Sequence, residues 1–172
     1  MTAEVEPVAR GGRGRRVRRW GVGLVVLVVL VAALWVWVVG PVRVPSTAME
    51  PTVVAGSTVL VVKVGGVERG DVVLVGAVSG GRLLRVIGLG GDRISCAGGR
   101  VSRDGAVIEE SYVASGSATE CAAVTVPDGE VYLLGDNREA AKDSRHEGPW
   151  PLGDVSGRMI SRLWSDDPRQ GN

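Results

Sequence analysis

The chain has 172 residues, enough for one ordinary domain with an appendage, and carries 20 basic against 19 acidic side chains for a net charge of +1. That balance excludes a strongly basic nucleic-acid binder, so no nucleic-acid partner is expected. A single histidine, His146, and two cysteines exclude a multi-histidine metal site and a four-thiolate zinc site, and no metal or cofactor is expected.

In chain order, residues 1–19 form a basic tail in which Arg10, Arg13, Arg15, Arg16, Arg18 and Arg19 lie among glycines. From Trp20 to Val42 no charged residue occurs. About 20 apolar residues at ~1.5 Å each span a ~30 Å hydrocarbon core, so 20–42 is read as a transmembrane anchor. Trp20, Trp35 and Trp37 suit the interfacial belts, and the arginines set the N-terminal side as cytoplasmic. The arginine run also suits contact with anionic membrane lipids. The alternatives are a cleaved signal peptide and a buried core helix. The first has an apolar region of only ~7–15 residues, and Gly40-Pro41-Val42-Arg43-Val44-Pro45 offers no clean small-x-small site. The second has no need of a preceding arginine cluster.

Residues 43–165 then read as one extracytoplasmic β domain, with a polar tail over 166–172. Ser57–Val64, Asp71–Val78, Leu83–Leu89, Val124–Val126 and Val131–Leu134 are short, β-branched bursts. Gly65-Gly66, Gly90-Gly91-Asp92, Asp104-Gly105 and Asp128-Gly129 punctuate them. Such spacing argues for a mostly β domain with brief strands at Ile94, Val101 and Val107, the last two joined by an Asp104-Gly105 hairpin. A short helix is expected between Arg138 and Ser144. Outside the cell, Cys96 and Cys121 face an oxidising compartment, where a disulfide persists. Closing that loop of about 26 residues stabilises by roughly 3.5 kcal/mol in the chain-entropy model. Two unrelated buried thiols are the alternative.

Four segments carry more specific information. They are Pro45-Ser46-Thr47-Ala48-Met49-Glu50-Pro51-Thr52-Val53, Arg69-Gly70-Asp71-Val72-Val73, Arg85-Val86-Ile87-Gly88-Leu89-Gly90-Gly91-Asp92, and Gly135-Asp136-Asn137-Arg138 followed by Asp143-Ser144-Arg145. In this order, behind an apolar N-terminal segment, they resemble the bacterial type I signal peptidases from the anchor to about Arg162. The resemblance implies a signal-peptidase-type antiparallel β domain behind one N-terminal transmembrane helix. It also implies signal peptides of exported preproteins as partners. Catalysis in that family uses a serine nucleophile deprotonated by a buried lysine whose pKa is lowered by desolvation. A second serine serves the oxyanion hole, and a third orients the lysine.

Carried onto this sequence, the nucleophile position, immediately before Met49, is Ala48. The general-base position, immediately before Arg85, is Leu84. The lysine-orienting position, two residues before Asp143, is Ala141. No catalytic residue of the family is therefore intact. Ser46 keeps the oxyanion-hole position, Met49 and Pro51 are groove candidates, and Asp136, Asp143 and Arg145 are read as structural support. The three losses match one another physically. A buried lysine without a nucleophile to serve costs desolvation energy, and leucine fills the slot without it. An orienting hydroxyl without a lysine is unsatisfied, and alanine removes it.

The reading is a plasma-membrane, single-pass signal peptidase homologue, inactive as a peptidase. It binds signal peptides or exported chains, or partners an active paralogue. The alternative is an active serine endopeptidase using non-standard residues. Ser46, Thr47, Lys142, Lys63, or His146 with Asp143 would have to supply them. A structural β module without a peptide groove is the third possibility. Gly88–Asp92 lacks the strand–helix setting of a phosphate cradle. Trp150 and Trp164 are expected to anchor the last strands.

Overall fold

The computed structural model describes residues 24–30, 38–63, 65–76, 81–114 and 117–164. The chain divides into two units, Met1–Trp37 and Val38–Asn172. In the first, Leu24–Leu30 are helical with their Leu and Val side chains exposed. No helix among the described residues is long and apolar enough to cross a membrane. The basic tail, most of the 20–42 segment with its three tryptophans, and the 166–172 tail lie outside the described residues.

Among the described residues the second unit has eleven strands. They are β1 Val39–Arg43, β2 Thr58–Val62, β3 Val72–Val75, β4 Arg82–Leu89, β5 Arg93–Ala97, β6 Arg100–Arg103, β7 Ala106–Val107, β8 Val124–Thr125, β9 Glu130–Leu134, β10 Trp150–Pro151 and β11 Val155–Trp164. All ladders are antiparallel. A seven-stranded sheet runs β1-β2-β11-β3-β4-β9-β10, and a four-stranded sheet runs β7-β6-β5-β8.

β1 corrects the far boundary of the apolar segment, because residues 39–42 pair with β2 in the register Val39↔Val62 to Arg43↔Thr58. Pro41 is compatible with this because β1 is an edge strand, where a missing N–H breaks no ladder bond. The Asp104-Gly105 turn joins β6 to β7 as expected. Both residues have positive φ, 53° and 82°, the left-handed geometry that a two-residue hairpin demands. The short helix occupies Ser144–Glu147 rather than the residues before Ser144. Asp143 is its N-cap, accepting from the Arg145 N–H, so the helix begins where the carboxylate can receive it.

Alternation along the central strands divides the interior into three apolar clusters. Leu83 faces Val44, Met49, Val53, Val59, Val61 and Val72. Its neighbour Leu84 faces the other way, among Val73, Val75, Val86, Val131 and Leu133. Ile87, Tyr132 and Leu134 pack with Ile94, Val101 and Val126, joining the two sheets. Cys96 and Cys121 are disulfide-bonded with their Cα atoms 5.0 Å apart, closing the segment that follows β5. Trp150 pairs through its backbone with Val131 and packs on the second cluster.

Candidate active site and peptide groove

The segment between β1 and β2 is folded back on itself by Gly56 N–H to Val44 O and Val53 N–H to Met49 O bonds, 2.7 and 2.8 Å. This turn holds Ala48 almost fully buried. The Ala48 N–H donates to Ser46 Oγ at 3.1 Å. The Ala48 carbonyl accepts the Asn137 N–H at 3.0 Å, and Asn137 Nδ2 donates to Thr47 O at 3.2 Å. The first motif is thereby docked on the Gly135-Asp136-Asn137-Arg138 loop.

Gly135 is the contact point. A Cβ placed there would lie 2.2 Å from Ala141 Cβ and 2.7 Å from the Ala48 oxygen, so no side chain fits. Leu84 approaches the same point along the sheet. Arg85 pairs with Leu134, and Leu84 is the next residue along β4 as Gly135 is the next beyond β9. Ala48 and Ala141 thus meet at one glycine, with Leu84 beside it by strand register, and none of the three carries a hydroxyl or an amine. Gly135 was read from the sequence only as a letter of the last motif. Its signal was the absence of a side chain between Leu134 and Asp136, which acquires meaning only once the loops are docked.

The polar side of this loop is held by buried ion pairs. Asp136 is fully buried and accepts Arg85 Nε and Nη2 at 2.8 and 2.6 Å and the Thr52 hydroxyl at 2.5 Å. Arg85 also donates to Gly70 O at 2.9 Å and lies 4.0 Å over the Tyr112 ring. Burial opposes the Arg85 charge, but Asp136 outweighs it, and the guanidinium pKa is raised overall. Asp143 is fully buried, accepting the Gly135 N–H at 3.0 Å and Arg145 Nε and Nη2 at 2.8 and 2.9 Å. Arg145 also donates to Arg138 O at 2.7 Å, and Ser144 Oγ accepts the Leu133 N–H at 2.9 Å. Asp136, Asp143 and Arg145 therefore all support the loop.

Arg138 was quoted only as a motif letter, yet it does as much. Its Nε donates to Gly135 O at 2.9 Å, and its Nη atoms reach Thr119 Oγ1 at 2.6 Å and Glu110 at 2.5 Å. Burial pushes the Tyr112 phenol pKa well up, and neighbouring Glu110, which accepts its O–H at 3.0 Å, adds to this. Elsewhere Arg69 and Asp92 join the second and third motifs at 2.7 and 2.8 Å. Gly88 and Leu89 close β4, and Gly90-Gly91 form the turn that leads to β5.

Of the side chains considered as substitute catalysts, Ser46 and Thr47 lie in the turn between β1 and β2, but the candidate bases do not join them. Lys142 is mostly exposed and lies 3.2 Å from Glu147. His146 is exposed, 3.8 Å from an Asp143 carboxylate already bonded to Arg145 and Gly135. Lys63 lines a separate depression beside Arg158. Among the described residues no cluster of His, Cys, Asp or Glu could hold a metal.

A cleft of about 220 Å³ runs between residues 42–46 on one wall and 81–83 on the other, with Leu74 also lining it. Met49 does not line it but is buried behind it, packed with Val44 and Leu83. Pro51 is exposed and lies outside it. Ser46 lines it.

An antiparallel β domain in which the first and last motifs meet at Gly135, with Arg85 of the third bonded to Asp136, frames the site. The family model "Signal peptidase, peptidase S26" matches residues 17–164. A probable signal peptidase I-2 of Synechocystis sp. is 30% identical over 84% of this chain and 72% of its own length. A probable signal peptidase I-1 of the same organism is 32% identical over 82% and 79%. Mitochondrial inner membrane protease subunit 1 of Mus musculus is 32% identical over 74% and 71%. The chain belongs to the signal peptidase family, peptidase S26.

Proposed function

We propose that this chain is a membrane-anchored signal peptidase homologue that binds signal peptides of exported proteins in its cleft and does not cleave them. The observation that carries the reading is the chemistry around Gly135. Ala48 and Ala141 bring no oxygen and Leu84 brings no amine, whereas the ion pairs that hold the loop are intact. Without a nucleophile or a base there is no route to an acyl-enzyme. Ser46, the oxyanion-hole candidate implied by the family motif, accepts the Ala48 N–H.

The anchor in this reading is the uncharged stretch 20–38, since β1 begins at Val39. As a helix it would be about 28 Å long, close to the hydrocarbon thickness. The arginines before it favour a cytoplasmic N-terminus and an extracytoplasmic β domain. An active enzyme with relocated catalytic groups is less well supported, because Lys142 and His146 are exposed and paired elsewhere.

The test is to incubate the detergent-solubilised chain with a preprotein bearing an Ala-x-Ala site, beside Ala48→Ser/Leu84→Lys/Ala141→Ser. The native chain should be silent and the triple variant should cleave. Losing nucleophile and base together removes on the order of 10⁶ in turnover, so the two are readily separated. Cleavage by the native chain at enzymatic rates would overturn the reading.

A further inference from the structure

Between β7 and β8 the chain runs over 108–123 with no strand or helix among its described residues. This strap is joined to the four-stranded sheet near its two ends. Ile108 N–H donates to Val101 O at 2.9 Å, and Thr119 N–H donates to Gly99 O at 3.2 Å. The Cys96–Cys121 bond ties the second end to β5 across a sequence separation of 25.

Side chains of the strap hold both cations that brace the site. The Glu110 carboxylate accepts Arg138 Nη2 at 2.5 Å and Nη1 at 3.2 Å, together with the Tyr112 O–H at 3.0 Å. Thr119 Oγ1 accepts Arg138 Nη1 at 2.6 Å, and the Tyr112 ring lies 4.0 Å from the Arg85 guanidinium. The Arg138 side chain is only 1% exposed, and its Nε donates to Gly135 O at 2.9 Å. Its neighbour Asn137 donates to Ala48 O. A continuous set of contacts therefore leads from the disulfide through the strap and Arg138 to the loop where the first and last motifs meet.

We propose that the Cys96–Cys121 bond is a reducible latch through which a dithiol reductant loosens that loop. The proposal concerns the order of the loop and holds whether or not the cleft takes a signal peptide. Both cysteines are half-buried, and Ala97, Glu120, Ala122 and Ala123 around them are exposed, so a small dithiol has access. One thiolate of the dithiol attacks a cysteine sulfur, forming a mixed disulfide and expelling the other cysteine. The second dithiol sulfur then displaces the first. The protein gains two electrons and two protons as two thiols, and the dithiol leaves as its own disulfide. Without the crosslink, the opened strap regains chain entropy that the bond withholds. Opening also takes Glu110 and Thr119 from a buried guanidinium, which is costly to leave unpaired, so Arg138 shifts and the Gly135 loop follows.

The test is hydrogen exchange, read by mass spectrometry, on the full chain in neutral detergent micelles with and without dithiothreitol. The chain has no other cysteine, so the dithiol has one target. On reduction, amides of 108–120 should exchange about tenfold faster, and those of 135–141 should follow by a smaller factor. Residues 58–62 and 72–75 of the large sheet should keep their rates, and reoxidation should restore the rest. Glu110→Gln, with the disulfide intact, should speed exchange at 135–141 but not in the β5–β6 hairpin, and Thr119→Val should do so more weakly. Circular dichroism reports that each variant is folded. Faster exchange confined to the strap overturns the latch and leaves the bond a local staple. Faster exchange across both sheets overturns it as well, because the bond then holds the whole domain. Unchanged rates with both thiols titrating as free overturn it outright.

Discussion

The two sides of Gly135 have kept opposite chemistries. On one side Asp136, Arg138 and Asp143 are buried and ion-paired, with half-buried Arg145 as the partner of Asp143. On the other, Ala48, Leu84 and Ala141 are buried and inert. The difference shows which polar groups a fold can shed. A buried ion cannot lose its partner alone, since an uncompensated charge then stays inside at about 3–5 kcal/mol. The three inert positions leave no donor or acceptor stranded when all change together. The apolar side of the glycine can therefore change as a set while the ion-paired side holds its shape.

The largest effect expected is from Leu84→Lys alone. Leu84 is fully buried among Val73, Val75, Val86, Val131 and Leu133. Burial lowers an ammonium pKa by up to ~3–5 units, and each unit is worth ~1.4 kcal/mol, so the variant should lose about 4 kcal/mol in a denaturant melt. Adding Ala48→Ser and Ala141→Ser should return part of that loss, because hydroxyls would then face the amine. If the triple variant is no more stable than Leu84→Lys, the three positions do not meet and the comparison fails.

Next is Asp136→Ala, which strands Arg85 and the Thr52 hydroxyl. It should destabilise by about 3 kcal/mol, read as a lowered melting temperature. A shift no larger than that of a surface substitution would mean that the ion pairs do not carry the loop.

The smallest effect is in alkali. Burial first, and the charge of Asp143 second, push the Tyr132 phenol up from 10.0 to about 12. The folded chain therefore holds a proton that the unfolded chain has released. This contribution is fully present below pH 10 and is lost as pH rises toward 12. Stability measured by urea melts across that window should fall more steeply for the native chain than for Tyr132→Phe.

Much of the fold was legible because strands and turns are local. The bursts at 57–64, 83–89 and 131–134 and the Asp104-Gly105 turn depend on neighbours alone. The inert positions were legible from motif spacing around Met49, Arg85 and Asp143, and the structure adds that Ala48 and Ala141 meet at Gly135. The ion pairs were not. Arg85 and Asp136 are 51 residues apart, and Arg138 and Glu110 are 28 apart, distances at which sequence pattern says nothing about pairing. The boundary at Val39 was missed for a different reason. A short apolar β-branched run reads equally well as helix or strand, and only the pairing with β2 decides between them.

Pro41 on β1 has a consequence for measurement of length. A proline offers no N–H, so the outer edge of β1 lacks a donor at that point. Any strand laid along this edge meets a gap there and has only residues 42–46 to follow, about 16 Å of extended chain. The gap guards an otherwise open sheet edge against edge-to-edge pairing with another copy.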